Sequence, residues 1–341
     1  MPLDIRTILI IKWGALGDIV ASTPAIRAVR ESFPRAHIVL LSNALMKQIV
    51  PAGTLADEVI VYDEGHGLSW FTEHLRIIHS LRKKKFDIVF NLRWTSDRSA
   101  LLSYFSGARK RIGSGPRQMM FLYTGKISPP PGFHHEIERN LDIVTGGGAT
   151  ASSRRPYVCS TPDDVRFADT FFQEHGLERN HTIAIHPGAS KPVRAWLPDR
   201  FAEIARACVA HFGCRVLLTW GPGEEELVTS IASMGGDGVS AGPRTGTIGR
   251  LASIIEHCGL FVSNCTGPMN VAMATSTPII ALLAATNPID WAPNRPDDRY
   301  IKSPLDLPSY SDDEEHEAVK AIQTEAVWSL LSERWTELHH G

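Results

Sequence analysis

The sequence predicts an α/β protein of two domains, each built on a parallel sheet covered by helices. Three observations predict it. Short β-branched runs alternate with helical periodicity from the first residues onward, the alternation restarts near the middle of the chain, and glycine-rich turns stand where strands hand over to helices. At 341 residues the chain is also too long for one ordinary α/β unit and suits two.

In order, Thr7–Ile11 reads as a strand, the turn Trp13–Asp18 follows, and Ile19–Ser32 has apolar positions at helical spacing. After the Phe33-Pro34 break come strands at His37–Leu41, Val59–Tyr62 and Asp87–Asn91, with a basic helix at Leu75–Lys85. Ser128–Gly132 holds three consecutive prolines and reads as a rigid loop; His135–Thr145 is a helix stopped by three glycines. A helix near Pro162–His175 precedes the restart: strands at Thr182–His186, Arg215–Trp220, Leu260–Ser263 and Pro278–Leu283, with helices at Pro198–Phe212, Glu224–Met234, Ile248–His257 and Pro268–Ala274. The acidic run Asp312–Glu317 leads into a final helix. This places a first domain at 1–160, a second at 175–320 and a closing helix at 321–341 that packs back on the first domain.

A net charge of −2 supplies no global field to recruit nucleic acid, and 43 % hydrophobic with 21 % charged residues is a globular composition. The five cysteines form no CxxC pair and no zinc-like spacing, which suits a reducing compartment. The opening residues lack the features of a signal peptide, and no apolar run approaches the ~20 residues of a transmembrane helix. The expectation is a cytoplasmic protein. The basic run Leu81–Lys85 is either a solvated helix end or a point of peripheral contact with anionic lipid.

The turn Gly14-x-x-Gly17-Asp18 sits at the mouth of a parallel sheet, where such folds bind ligands. It is not GxGxxG, and a carboxylate at a helix start repels a pyrophosphate. Asp18 is therefore a better general base than phosphate cradle, although an aspartate there also makes an ordinary helix cap. In the second half three turns fall at strand ends. His186–Trp196 carries Ala189, Ser190, Lys191 and Arg194, suited to a diphosphate. Trp220-Gly221-Pro222-Gly223-Glu224 offers a carboxylate to a ribose diol. Cys265-Thr266-Gly267-Pro268 opens a helix whose first amides suit a phosphate. Singly each could be a plain connector; together they point to a nucleotide-diphosphate site, with chemistry in a cleft between the domains.

These residues resemble glycosyltransferase family 9, the bacterial heptosyltransferases with the two-Rossmann-domain GT-B fold. The resemblance spans roughly Ile8–Pro293. It rests on IKWGALGDIVASTPAIRAVRESFP at 11–34, HEIERNLDIV at 135–144, IAIHPGASKPVRAWLPDRFAEIA at 183–205, TWGPGEEE at 219–226 and FVSNCTGPMNVAMATSTPIIALLAATNP at 261–288. It implies two parallel sheets facing a central cleft and an inverting transfer without a catalytic metal or cofactor, the nucleotide sugar, ADP-linked, being substrate. In it Asp18 is the base, Ser190 and Arg194 hold the diphosphate, Glu224 the ribose, and Thr266 and Gly267 a phosphate. Gly14, Gly17, Arg93, Arg98 and Arg139 fall on the acceptor side. It also implies a glycan, glycolipid or small-molecule acceptor, the family acting on growing lipopolysaccharide core at the inner leaflet. Two departures stand out: Cys265 replaces the family aspartate and Asn270 the family histidine of D-T-G-x-x-H. The acceptor-side stretch Asn91–Arg98 also replaces D-x-Q-G.

Rival readings are a nucleotide-sugar epimerase or hydrolase, a binding protein that has lost catalysis, and, with GxGxxG absent, a disfavoured nicotinamide oxidoreductase.

Overall fold

A computed structural model describes residues 5–62, 68–94, 96–115, 117–128, 134–305 and 311–340. The triple-proline loop at 129–131 lies outside them. The chain divides into two compact units, Met1–Cys159 and Ser160–Gly341.

The first unit runs β1 (Thr7–Ile11), α1 (Leu16–Ser32), β2 (His37–Ser42), α2 (Leu45–Ile49), β3 (Glu58–Val61), α3 (Leu68–Lys84) and β4 (Ile88–Asn91). It continues with α4 (Asp97–Phe105), β5 (Lys110–Gly113), a 3-10 turn (Arg117–Leu122), β6 (Gly125–Lys126) and α5 (Glu136–Gly146). The sheet order is β3-β2-β1-β4-β5-β6, and each pair is parallel. Ile8 to Ile11 of β1 are all fully buried, since a central parallel strand is covered on both faces. On one face Leu9, Ile11, Val39 and Val89 meet Ile77 and Leu81 of α3; α1 and α5 pack against each other. Pro24 lies inside α1 and has no N–H for the Val20 carbonyl four residues back. Thr23 Oγ1 donates to that carbonyl instead, at 2.7 Å, so the helix continues.

The second unit runs α6 (Pro162–Glu174), β7 (Thr182–His186), a 3-10 turn (Pro192–Arg194), α7 (Pro198–Phe212), β8 (Arg215–Leu218), α8 (Glu225–Gly235) and β9 (Val239–Ala241). It continues α9 (Ile248–Glu256), β10 (Leu260–Asn264), α10 (Gly267–Met273), β11 (Ile279–Leu283), α11 (Pro288–Trp291), β12 (Arg299–Lys302), α12 (Asp312–Lys320) and α13 (Thr324–His340). The order is β12-β11-β10-β7-β8-β9, again parallel throughout. Counted from each unit's first strand, both orders are 3-2-1-4-5-6, the doubly wound arrangement that leaves a crevice at the carboxyl ends of strands one and four. Those ends are β1 and β4 in the first unit, β7 and β10 in the second.

Sequence reading missed β5, β6, β9 and β12, which are short and outlying, with few apolar residues to mark them. It also merged α12 into the closing helix; Ser311 caps α12 through Glu314 N–H and Glu314 bonds back, a reciprocal box that starts a separate helix. The closing helix α13 sends Val327, Leu331 and Trp335 into the core of the second unit, and Trp328 stacks on Phe212.

Asn264 at the end of β10 ties the second crevice together. Its Oδ1 accepts from the Trp196 N–H at 3.0 Å, and its Nδ2 donates to the carbonyls of Pro187 at 2.8 Å and Gly188 at 3.2 Å. Trp196 is buried as well, its indole N–H donating to the Ile322 carbonyl at 3.0 Å. Removing the amide leaves one backbone donor and two acceptors without their partner in a dry site. Asn264→Ala is expected to lower unfolding free energy by about 2–4 kcal/mol, read by urea denaturation; a change below about 0.5 kcal/mol would show that the clamp contributes nothing.

Candidate active site

In the first unit the carboxyl ends of β1 and β4 carry a chain of charged groups. Lys12, immediately after β1, is buried, and its Nζ lies 2.7 Å from Glu136 Oε1 and 3.8 Å from Asp18 Oδ1. Glu136, at the first position of α5, is buried too, and the Asn140 amide donates to its carbonyl at 2.6 Å and its carboxylate at 3.3 Å. Arg139 NH1 is 3.9 Å from Glu136 Oε2, and its guanidinium stands 4.7 Å over the Trp94 ring, whose indole N–H points to the same oxygen at 3.4 Å. Two buried opposite charges in contact satisfy each other where either alone would be costly.

Asp18 takes both parts that its sequence context allows. Its Oδ2 accepts the Ala15 N–H at 3.2 Å as a helix cap, while Oδ1 turns toward Lys12. A quarter of the side chain remains exposed (25 %). Gly14 makes this possible: at φ +153° a side chain is disfavoured, and an added Cβ would lie 2.8 Å from Asp18 Cβ. Gly17 is buried in the first turn of α1.

Of the three arginines expected on the acceptor side, Arg139 joins this chain of contacts. Arg93 has its backbone N–H held by Asn91 Oδ1 at 3.0 Å, and Arg98 stands on the exposed face of α4. Asn91 also donates to the hydroxyls of Ser99 at 3.0 Å and Tyr123 at 2.6 Å; burial pushes the Tyr123 phenol up to about 12, so it stays neutral. Trp94, Ser114, Ile127, Arg139, Asp142 and Ile143 line a pocket. Lys12 and Glu136 escaped sequence reading, although a lysine closing an apolar strand was a visible signal.

In the second unit the loops after β7, β8 and β10 converge, as adjacent parallel strands require. Glu224 caps the turn before α8, its Oε2 accepting the Gly221 N–H at 2.7 Å, and the carboxylate presses so closely on Gly188 that a Cβ there would collide with it. Trp220 is anchored through its indole N–H to the Gly242 carbonyl at 2.8 Å. Burial lowers His186, at the end of β7, below the ordinary imidazole range, against the pull of Glu224 3.5 Å away.

The basic residues of the β7 loop are not idle. Arg194 makes a bidentate pair with Glu315 of α12, Nε to Oε2 at 2.7 Å and NH2 to Oε1 at 2.5 Å, and Lys191 pairs with Asp312 at 2.8 Å. Glu315 is buried, whereas about half of the Arg194 side chain is exposed (49 %). The Glu315 hydrogen bonds hold the guanidinium charged. Ala189 is half-buried and Ser190 exposed beside them.

Cys265 lies near Arg194, and burial raises its thiol to about 11 against the opposing influence of Thr286 and of Arg194. It is a neutral group. Thr266 stands at the N-cap position of α10 with its hydroxyl donating to the Asn264 carbonyl at 3.3 Å, Gly267 and Pro268 form the first turn, and Asn270 folds back to donate to the Thr266 carbonyl at 3.1 Å. All five cysteines are free thiols, and no cluster of metal-ligating side chains is found among the described residues.

The buried, neutral His186 gives a pH signature. The unfolded chain binds its proton more readily than the folded one, so stability declines as pH falls below about 6.5 and the decline ends once the folded-state imidazole protonates. His186→Gln should flatten this part of the profile, seen as a smaller loss of Tm between about pH 7.5 and 5.5 than in the wild type; an identical loss would count against it.

No helix among the described residues is long and apolar enough to cross a membrane. Residues 74–321 match the model of glycosyltransferase family 9 (heptosyltransferase). Lipopolysaccharide heptosyltransferase 3 of Escherichia coli K12 is 28 % identical over 295 residues, covering 81 % of this chain and 82 % of the relative. A family 9 glycosyl transferase from Veillonella parvula superposes with a TM-score of 0.82 at 22 % identity, covering 99 % of each chain. The E. coli ADP-heptose lipopolysaccharide heptosyltransferase II gives 0.76 at 21 % identity, covering 97 % of this chain and 99 % of that one. These likenesses establish the GT-B fold, and with a family model matched over most of its length the chain belongs to glycosyltransferase family 9 and is a glycosyltransferase.

Proposed function

We propose that the protein transfers a heptose from ADP-heptose to a hydroxyl of a lipopolysaccharide-like glycan, with inversion and without a catalytic metal. The observation that carries the reading is the opposite chemistry of the two crevices: a carboxylate at the first, and a basic, hydroxyl-bearing loop beside a helix start at the second. The relatives supply the donor and acceptor classes, since one is named for ADP-heptose and another for lipopolysaccharide.

In this reading the first unit is the acceptor side. Asp18 Oδ1 takes the proton of the acceptor hydroxyl as its oxygen attacks the anomeric carbon. The bond to the diphosphate breaks on the opposite face, and ADP leaves with the electron pair. Lys12 places its ammonium 3.8 Å from Asp18 Oδ1, and Glu136, 2.7 Å from the same ammonium, shares that charge. Arg139, with Arg93 and Arg98, meets the polar or anionic acceptor, and Gly14 and Gly17 let it approach the turn.

The second unit is the donor side. Ser190, Lys191 and Arg194 face the diphosphate, and Thr266 and Gly267 offer amides to a phosphate. Glu224, beside Gly221 and Trp220, accepts from the ribose diol. Ala189, Cys265, Pro268 and Asn270 shape the wall around the sugar.

Asp18→Asn should leave ADP affinity nearly intact while lowering turnover about 10²–10⁴-fold, measured as ADP release with ADP-heptose and a heptose-accepting glycan. Retained turnover would remove Asp18 from the chemistry, and free heptose as the main product would replace transfer by hydrolysis. Arg194→Ala should weaken ADP binding by about 1.5 kcal/mol, roughly tenfold, the lower end for a charged contact because Glu315 already shares the guanidinium. Calorimetry with unchanged affinity would take Arg194 out of the donor site.

A further inference from the structure

A surface of the first unit that the reaction does not use has the wrong polarity for water. Helix α4 buries Ser99, Ala100, Leu102 and Ser103 and turns Leu101 (39 % exposed), Tyr104 (47 %) and Phe105 (40 %) to solvent. That reverses the usual arrangement, in which a surface helix hides its large apolar side chains. The neighbouring 3-10 turn packs on α4 through Leu122 and Tyr123 and leaves Phe121 73 % exposed. Contiguous exposure of this kind marks an interaction site.

Past Asp97, which opens α4, the charge around it is of one sign. No aspartate or glutamate occurs between Asp97 and Glu136, in a chain whose acidic residues outnumber its basic ones by 37 to 35. That stretch carries the exposed Arg109, Lys110 and Lys126. Arg111 links them to the patch: its guanidinium lies 5.4 Å from the Tyr104 ring and donates to the carbonyls of Leu122 at 2.8 Å and Ala108 at 2.9 Å. Arg82 of α3 lies alongside Gly107, just past the end of α4, and Lys83 and Lys85, near it in the chain, are exposed. The acids at this edge are already engaged, Glu58 with Lys84 and Asp87 with the backbone of Arg6 and Thr7.

We propose that this face docks on an anionic lipid surface, with Leu101, Tyr104, Phe105 and Phe121 entering the headgroup region and the basic rim meeting lipid phosphates. Aromatic and aliphatic side chains framed by arginine and lysine suit that interface. A second copy of the chain suits it less, because a two-fold contact would press one basic rim against another. The lysines of 81–85 are then one edge of the docking face, not the whole of it.

The test is co-sedimentation of the full chain with phosphatidylcholine vesicles, with and without phosphatidylglycerol, which requires no turnover and so stands apart from the assigned reaction. Binding should need phosphatidylglycerol and weaken with salt. The double variant Phe105→Ser, Phe121→Ser should partition at least about tenfold less with an unchanged melting curve, and Lys110→Ala about fivefold less. Absence of wild-type binding to the anionic vesicles, or equal binding by the double variant, overturns the proposal. So does a wild-type dimer by light scattering that the double variant converts to monomer, which would make the face a self-association surface.

Discussion

Both units depend on one constraint, the reversal of winding direction after the third strand of a parallel sheet. At that point neighbouring connections leave on opposite faces, so the carboxyl ends of two central strands are uncovered and their last backbone groups need partners. The second unit meets this demand with a side chain, Asn264, whose amide holds Pro187, Gly188 and Trp196 at once. At the same place the first carries charge, with Lys12 at the end of β1 against Glu136 at the start of α5. The same crevice that must be satisfied is the one that can accept a ligand, which is why the groups with chemical potential cluster there.

The two solutions have different consequences. An amide clamp is neutral and fixes geometry, so the β7 loop has a defined path for Ser190 and Arg194. A buried ion pair also sets the local field. Lys12 and Arg139 both stand against Glu136, and Asp18 lies at the mouth, bonded to one backbone N–H and 3.8 Å from the Lys12 ammonium. A carboxylate so placed is oriented, as the role of general base proposed for it requires.

The central strands and long helices were legible because burial on both faces writes continuous apolar runs, as in Ile8–Ile11 and Leu260–Val262. The outer strands were not, since Lys110–Gly113 and Arg299–Lys302 are half-exposed and read as polar connectors. The glycine turns were legible as places, but their partners were not. Nothing local in the sequence says that Arg194 will meet Glu315, 121 residues away, or that Lys12 will meet Glu136, 124 residues away. Long-range pairing of single charged side chains has no periodic signature. Asn264 was hidden for a related reason: a clamp of backbone groups is written in the path of a distant loop and not in the motif that carries it.

The turn at 265 and the loop at 194 can be understood together through this pairing. The family resemblance sets an aspartate in the turn after β10, where this chain differs. In this chain the turn holds Cys265, kept neutral by burial, while the loop holds Arg194 with Glu315 behind it. A carboxylate stands close by nonetheless, Glu315, buried on α12 and paired with Arg194. Arginine suits this arrangement where lysine would not, because a fork can give Nε and one NH2 proton to Glu315 and still present NH1 to an incoming anion. Cys265, just before the start of α10, is a neutral thiol, less repulsive to a phosphate at that helix start than an aspartate would be.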